Sequence, residues 1–166
     1  MTGEYLRLAP HELRTAIADP GWLADHADQV RDAEFAQALP SAQARHLSTE
    51  KAWHVIDYIL GRARFPVQIV YGEEDLPGIG DDEWNYGPPS YLTPDRVRVA
   101  AELLTRTKFD DLVAGLGPAD MEREERYPHF WEESESLEWV RDCFEPLAPY
   151  FEAAAGAGDA IVVWIA

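Results

Sequence analysis

His54 has Glu50 and Tyr58 one helical turn to either side and Asp57 three residues further on. At that spacing side chains share one face of a helix. An imidazole beside a carboxylate has the parts of a general base, because the carboxylate orients the ring and favours its protonated form. The same four residues would also make an ordinary solvated helix face, which is the commoner fate of such a cluster.

A second concentration of chemistry is the run Glu73-Glu74-Asp75, followed by Asp81-Asp82-Glu83-Trp84-Asn85-Tyr86. Carboxylates beside rings can grip a basic partner, the aromatics anchoring it in a negative field. They can also hold a hard cation through oxygen ligands. The spacing Asp-x-Asp-x-Asp-Gly is missing, however, so no metal is expected. A charged loop in water is the competing reading. Trp84, Tyr86, Tyr91, Tyr127 and Trp131 all stand in polar or acidic surroundings, where a large ring either seals the edge of a core or lines a cleft. The candidate pocket is therefore His54, Asp57, Tyr58, Trp84, Tyr86, Tyr91, Tyr127 and Trp131, with the rings expected to gather on the polar side of the helix that carries Trp53.

Other signatures fail on inspection. Ser48 and Lys51 have Ser-x-x-Lys spacing, but Ser48 is better used as a helix cap and the companion motifs are missing. His11-Glu12 has no second histidine at the spacing a zinc helix needs. Gly78 and Gly80 are not followed by a third glycine opening a helix. Cys143 has acids around it, which disfavour a thiolate nucleophile. No cofactor is expected.

Composition narrows the class further. The 166 residues carry 14 Lys+Arg against 31 Asp+Glu, a net charge of −17 at pH 7. Such a surface repels phosphate backbones and anionic lipids, so no nucleic acid and no membrane is expected as partner. The lone Cys143 rules out an internal disulfide, and Met1 to Tyr5 lacks a basic stretch followed by an apolar run, so no secretory signal is expected. Hydrophobic residues at 46% suffice for one buried core, and the length fits a single domain over 1–166.

The elements that must position these residues follow from periodicity and punctuation. Tyr5 to Leu8 alternates as a strand. Pro10 and Asp19-Pro20 open helices, His11 to Ala18 and Pro20 towards Leu39, with Ser41 to His46 as a linker. Ser48 is expected to cap a helix over Thr49–Leu60, whose apolar arc is Ala52, Trp53, Val55, Ile56, Ile59 and Leu60, and Gly61 to stop it. Phe65 to Tyr71 reads as a strand, and 72–89 as a long loop. Thr93-Pro94-Asp95 opens a helix to Thr107, and Phe109 to Ala114 forms a short one. Leu137, Val140, Phe144, Leu147 and Phe151 mark a last helix stripe, which Pro146 and Pro149 should bend or interrupt. Ala160 to Ile165, apolar without alternation, reads as a central strand covered on both faces.

Four stretches carry a resemblance: Leu47-Ser48-Thr49-Glu50-Lys51-Ala52-Trp53-His54; Tyr86-Gly87-Pro88 with Tyr91-Leu92-Thr93-Pro94; Tyr127-Pro128-His129-Phe130-Trp131; and Phe144 through Tyr150-Phe151 to Gly158-Asp159-Ala160-Ile161-Val162. In this order they resemble the YfbM-like bacterial domain of unknown function, over nearly the whole chain. The resemblance implies a three-layer α/β/α-type domain, bacterial and cytoplasmic, and brings no catalytic residues with it. Pro146 and Pro149 depart from the regular helix expected there. Taken with the residue patterns, the fold class is α/β, with α+β by segregation as the variant, built on a small mixed sheet with a buried C-terminal strand.

The function expected is a binding module with an acidic, aromatic-lined cleft for a basic protein or a small cationic ligand, of an immunity or regulatory type. The alternative is a small hydrolase or transferase using His54 with a nearby carboxylate.

Overall fold

The computed structural model describes residues 1–78, 84, 86–128, 131 and 135–166; Ile79-Gly80, the acidic run Asp81-Asp82-Glu83, Asn85, His129-Phe130 and Glu132 to Ser134 lie outside the described residues. Five strands form the sheet: β1 (Gly3–Leu8), β2 (His46–Ser48), β3 (Glu74–Asp75), β4 (Ser90–Leu92) and β5 (Ala160–Ile165). Their order is β2-β1-β5-β4-β3, so the apolar C-terminal run is the middle strand, as its composition requires. Every described pairing is antiparallel rather than mixed.

Alternation along the strands sorts the core into two layers. Tyr5, Leu92, Ile161 and Val163 face one way, under α3 (Trp53–Arg62), α4 (Pro94–Arg106), α7 (Glu135–Phe144) and α8 (Leu147–Ala157). Leu6, Leu8, Val162 and Trp164 face the other way, under α1 (Pro10–Ala18) and α2 (Pro20–Phe35). Helices thus cover both sides of the sheet, the three-layer arrangement expected. Two short helices, α5 (Phe109–Leu112) and α6 (Pro118–Arg123), extend the first layer. Among the described residues no helix is long and apolar enough to cross a membrane.

Helix starts follow the punctuation. Asp19 Oδ1 accepts the Trp22 N–H at 3.2 Å and Thr93 Oγ1 the Arg96 N–H at 3.4 Å, each just before a proline at the first helical position. The last helical stripe divides at Pro146, and Pro149 falls in the first turn of α8, where its missing N–H costs nothing. Gly3 permits a close approach: a Cβ there would lie 2.6 Å from both Thr49 Oγ1 and Trp53 Cβ. That pins the start of α3 to β1.

Several expectations are corrected. Residues 65–71 are turns, not a strand: Ile69 N–H closes onto the Val67 carbonyl and Val70 N–H onto the Gln68 side chain. Val67, Ile69 and Val70 still plug the core, because β-branched side chains suit packing as well as ladders. His46 is not in a linker but in the edge strand β2. Helix α2 ends at Phe35, short of Leu39, and Ala38 has φ 46°. Ser48 does not cap α3. A single 3₁₀ turn, Glu50–Ala52, intervenes, and the Ser48 hydroxyl accepts the Glu50 N–H while donating to Glu4. Helix α3 runs through Gly61 to Arg62.

Candidate functional site

Arg126 organises the residues around His54. Its guanidinium lies over the Tyr58 ring, 4.4 Å from the centroid, and its Nη1 is 3.1 Å from His54 Nε2. The Trp131 indole N–H donates to the Arg126 carbonyl at 2.7 Å. His54 Nδ1 accepts the Tyr127 N–H at 3.0 Å, and the imidazole stacks on Trp53. His54, Tyr58, Tyr127 and Trp131 therefore come together, but as a fastening of Arg126, Tyr127 and Trp131 onto α3. Trp131 is only 2% exposed. The His54 lone pair on Nδ1 is committed to a backbone amide and Nε2 faces a cation, so the ring offers no base to a substrate.

The remaining candidates go elsewhere, and the single recess expected on the polar side of α3 is not formed by the described residues. Trp84 packs edge-to-face on Trp164, centroids 5.5 Å apart, and Tyr91 joins the same layer under α1 and α2. The reason is register: Tyr91 pairs with Val162, so it points to the opposite face of the sheet from Leu92 and Trp131. Tyr86 is 62% exposed. Asp57 borders a separate cavity of about 220 Å³ with Gln68 and Glu73.

A different constellation lies at the β2 edge. Strand register sets Glu4 opposite Ser48 and Leu6 opposite His46, so Glu4, His46 and Ser48 share one face. His46 Nε2 is 2.7 Å from Glu4 Oε2, and Ser48 Oγ donates to Glu4 Oε1 at 3.0 Å. Glu4 is 7% exposed. Burial pushes its carboxyl towards the neutral form, but hydrogen bonds from His46, Thr2 and Ser48, with the attraction of His46, outweigh that and hold it below the usual carboxylate range. An ionised Glu4 accepts from both neighbours, so the imidazole must present Nε2–H to it. The serine proton points at the carboxylate, not at the ring, so this is not a nucleophile–histidine relay.

Four elements fix the position of this edge. The Glu34 carboxylate on α2 accepts the backbone N–H of Arg45 and of His46, and the Tyr150 hydroxyl on α8 donates to the Arg45 carbonyl at 2.7 Å. Arg45 Nη2 donates to the Arg7 carbonyl on β1 and to Glu12 on α1. Beside β2 opens a groove of about 400 Å³. Glu4, His46 and Ser48 line it together with Glu34, Glu50 and Phe35. The Phe35 ring, at the end of α2, is 89% exposed. The sequence does carry a signal for this site, a carboxylate near the start of the first strand and His-x-Ser at strand spacing, but the pairing partner is 42 residues away. Among the described residues no group of three His, Cys, Asp or Glu could hold a metal ion.

Comparison with known proteins decides the family. Residues 1–164 match the Domain of unknown function (DUF1877). The chain belongs to that family. Among solved structures it is similar to a protein of unknown function, YfbM, from Escherichia coli, at 13% identity, with all of both chains covered and a TM-score of 0.66. That likeness is one of fold. No curated protein matches the chain.

Proposed function

We propose that this DUF1877 protein is a binding module for a basic partner, and that the groove beside β2 is where the partner docks. The observation that carries the reading is one largely exposed phenylalanine, Phe35, at the rim of a groove whose walls hold the carboxylates of Glu4, Glu34 and Glu50. An exposed aromatic beside carboxylates, one of them the buried Glu4, has the composition of a binding hot spot. The net charge of −17 adds a long-range field that speeds encounter with a cationic surface. A bacterial cytoplasmic setting, where thiols stay reduced, suits a chain whose one cysteine is unpaired. The enzyme alternative built on His54 has no such support, because its Nδ1 lone pair is taken by the Tyr127 amide and Nε2 lies against the Arg126 guanidinium.

The test is calorimetric titration of the full chain with a short arginine- and lysine-rich peptide at low and at high salt. Binding that weakens as salt rises, and that is lost in Phe35→Ser, supports the reading. Binding insensitive to salt and unaltered by Phe35→Ser removes the groove from consideration.

A further inference from the structure

The Glu4–His46 pair leaves one atom with work to do. Because Nε2–H is given to Glu4, the lone pair of the neutral ring is on Nδ1. Among the described residues nothing bonds Nδ1, and that atom is not among those sealed from solvent without a partner, while the ring itself lines the groove. With a neutral ring the pair carries one net negative charge, set in a wall that includes Phe35, Leu39 and Ala44. A charge so poorly hydrated draws a compensating positive group, and Nδ1 can receive it as a proton or as a cationic N–H donor.

Resting on the reading of the groove given above, we infer that the site takes the guanidinium of an arginine side chain from the basic partner, one N–H donating to His46 Nδ1. The flat face of the guanidinium stacks on Phe35, and its remaining donors reach Glu50. An ammonium would match the charge, but it has no planar face for the ring and no fork of directed donors. Arg31, also in the groove wall, is paired with Asp28 at 2.5 Å.

Proton and arginine then compete for the same nitrogen. The charged groups facing His46 are Glu4 from β1, Glu34 and Arg31 from α2 and Glu50 from the 3₁₀ turn; Ser48 and the Trp164 ring are neutral neighbours. Ligand binding must lower the pH at which His46 protonates, and protonation must weaken binding by the same factor.

The experiment is an NMR titration of the imidazole nitrogens of the labelled full chain, alone and with three peptides identical but for one residue, arginine, lysine or citrulline. The arginine peptide is expected to move the His46 midpoint to lower pH and to bind about tenfold more weakly below the measured free-chain midpoint than above it. The citrulline peptide should do neither, and His46→Gln should lose the pH dependence. Glu50→Gln, at an exposed position, keeps the fold and should reduce arginine affinity. Arginine-peptide binding that leaves the His46 midpoint unmoved, or lysine binding as tight as arginine, overturns this inference while leaving a basic-partner module intact. Failure of every cationic peptide to bind at any salt overturns both.

Discussion

The imidazole of His46 and the carboxylate of Glu4 meet at 2.7 Å across a strand pair, with the carboxylate buried and a serine hydroxyl on its other oxygen. A carboxylate stabilised in this way ties folding to pH. Its folded-state pKa lies below the ordinary 4.5. The stabilisation is therefore fully present above about 4.5 and is lost as pH falls through the lower folded value. Glu12, which burial pushes up but which the Ala9 amide and Arg45 pull down further, acts in the same direction. Urea midpoints measured from pH 7 down to about pH 3 should fall, and fall less in Glu4→Gln. A flat profile would show that neither carboxyl gains its hydrogen bonds on folding.

Phe35 is expected to separate binding from stability. At 89% exposure it has little apolar contact to lose, so Phe35→Ser should change unfolding free energy by no more than about 0.5 kcal/mol. A larger loss, seen by chemical denaturation, would mean the ring packs in solution.

Gly3→Ala should destabilise the fold. The added methyl would sit 2.6 Å from Thr49 Oγ1 and Trp53 Cβ, and neither can retreat without moving the start of α3 from β1. Overpacking of this kind costs about 1–3 kcal/mol. Thermal melting with a Tm equal to that of the parent would contradict it.

His54→Phe should loosen Arg126 and Tyr127 rather than abolish any activity. It removes the acceptor of the Tyr127 N–H and the ring nitrogen facing Arg126. Losing a partner in such a setting costs about 1–3 kcal/mol. Hydrogen exchange at the Tyr127 amide should speed up while amides of β5 stay protected; unchanged protection at Tyr127 would contradict the fastening role.

Cys143 should be inert in the folded protein. Burial, with Glu50 and Asp142 nearby, pushes its thiol up to about 11. Iodoacetamide at about pH 8 should label it far more slowly than a free thiol, and at the ordinary rate once urea is added. Equal rates in both conditions would argue for a reactive cysteine.

The elements with dense local signals were legible without coordinates. The apolar arc of α3, the Asp19-Pro20 and Thr93-Pro94 openings and the covered run at β5 each follow from residues within a few positions of one another. The candidate site was not legible. His46–Ser48 is three residues long, and it is a strand only because Glu4 to Leu6 lies beside it. The side of the sheet on which Tyr91 and Trp84 emerge depends on the register with β5, which no local pattern encodes. Residues 65–71 have the composition of a strand, but Ile69 N–H closes on the Val67 carbonyl and Val70 N–H on the Gln68 side chain, so these groups are taken locally rather than in a ladder.

Glu34 decides where the sheet stops. An outermost strand ordinarily shows its amides to any passing chain, which can add itself as one more strand. Here the outward N–H groups of Arg45 and His46 are both taken by a single carboxylate. A chain laid along this rim finds those two donors spent, which weakens the edge as a template for one more strand and leaves its side chains the larger part in any contact with the groove.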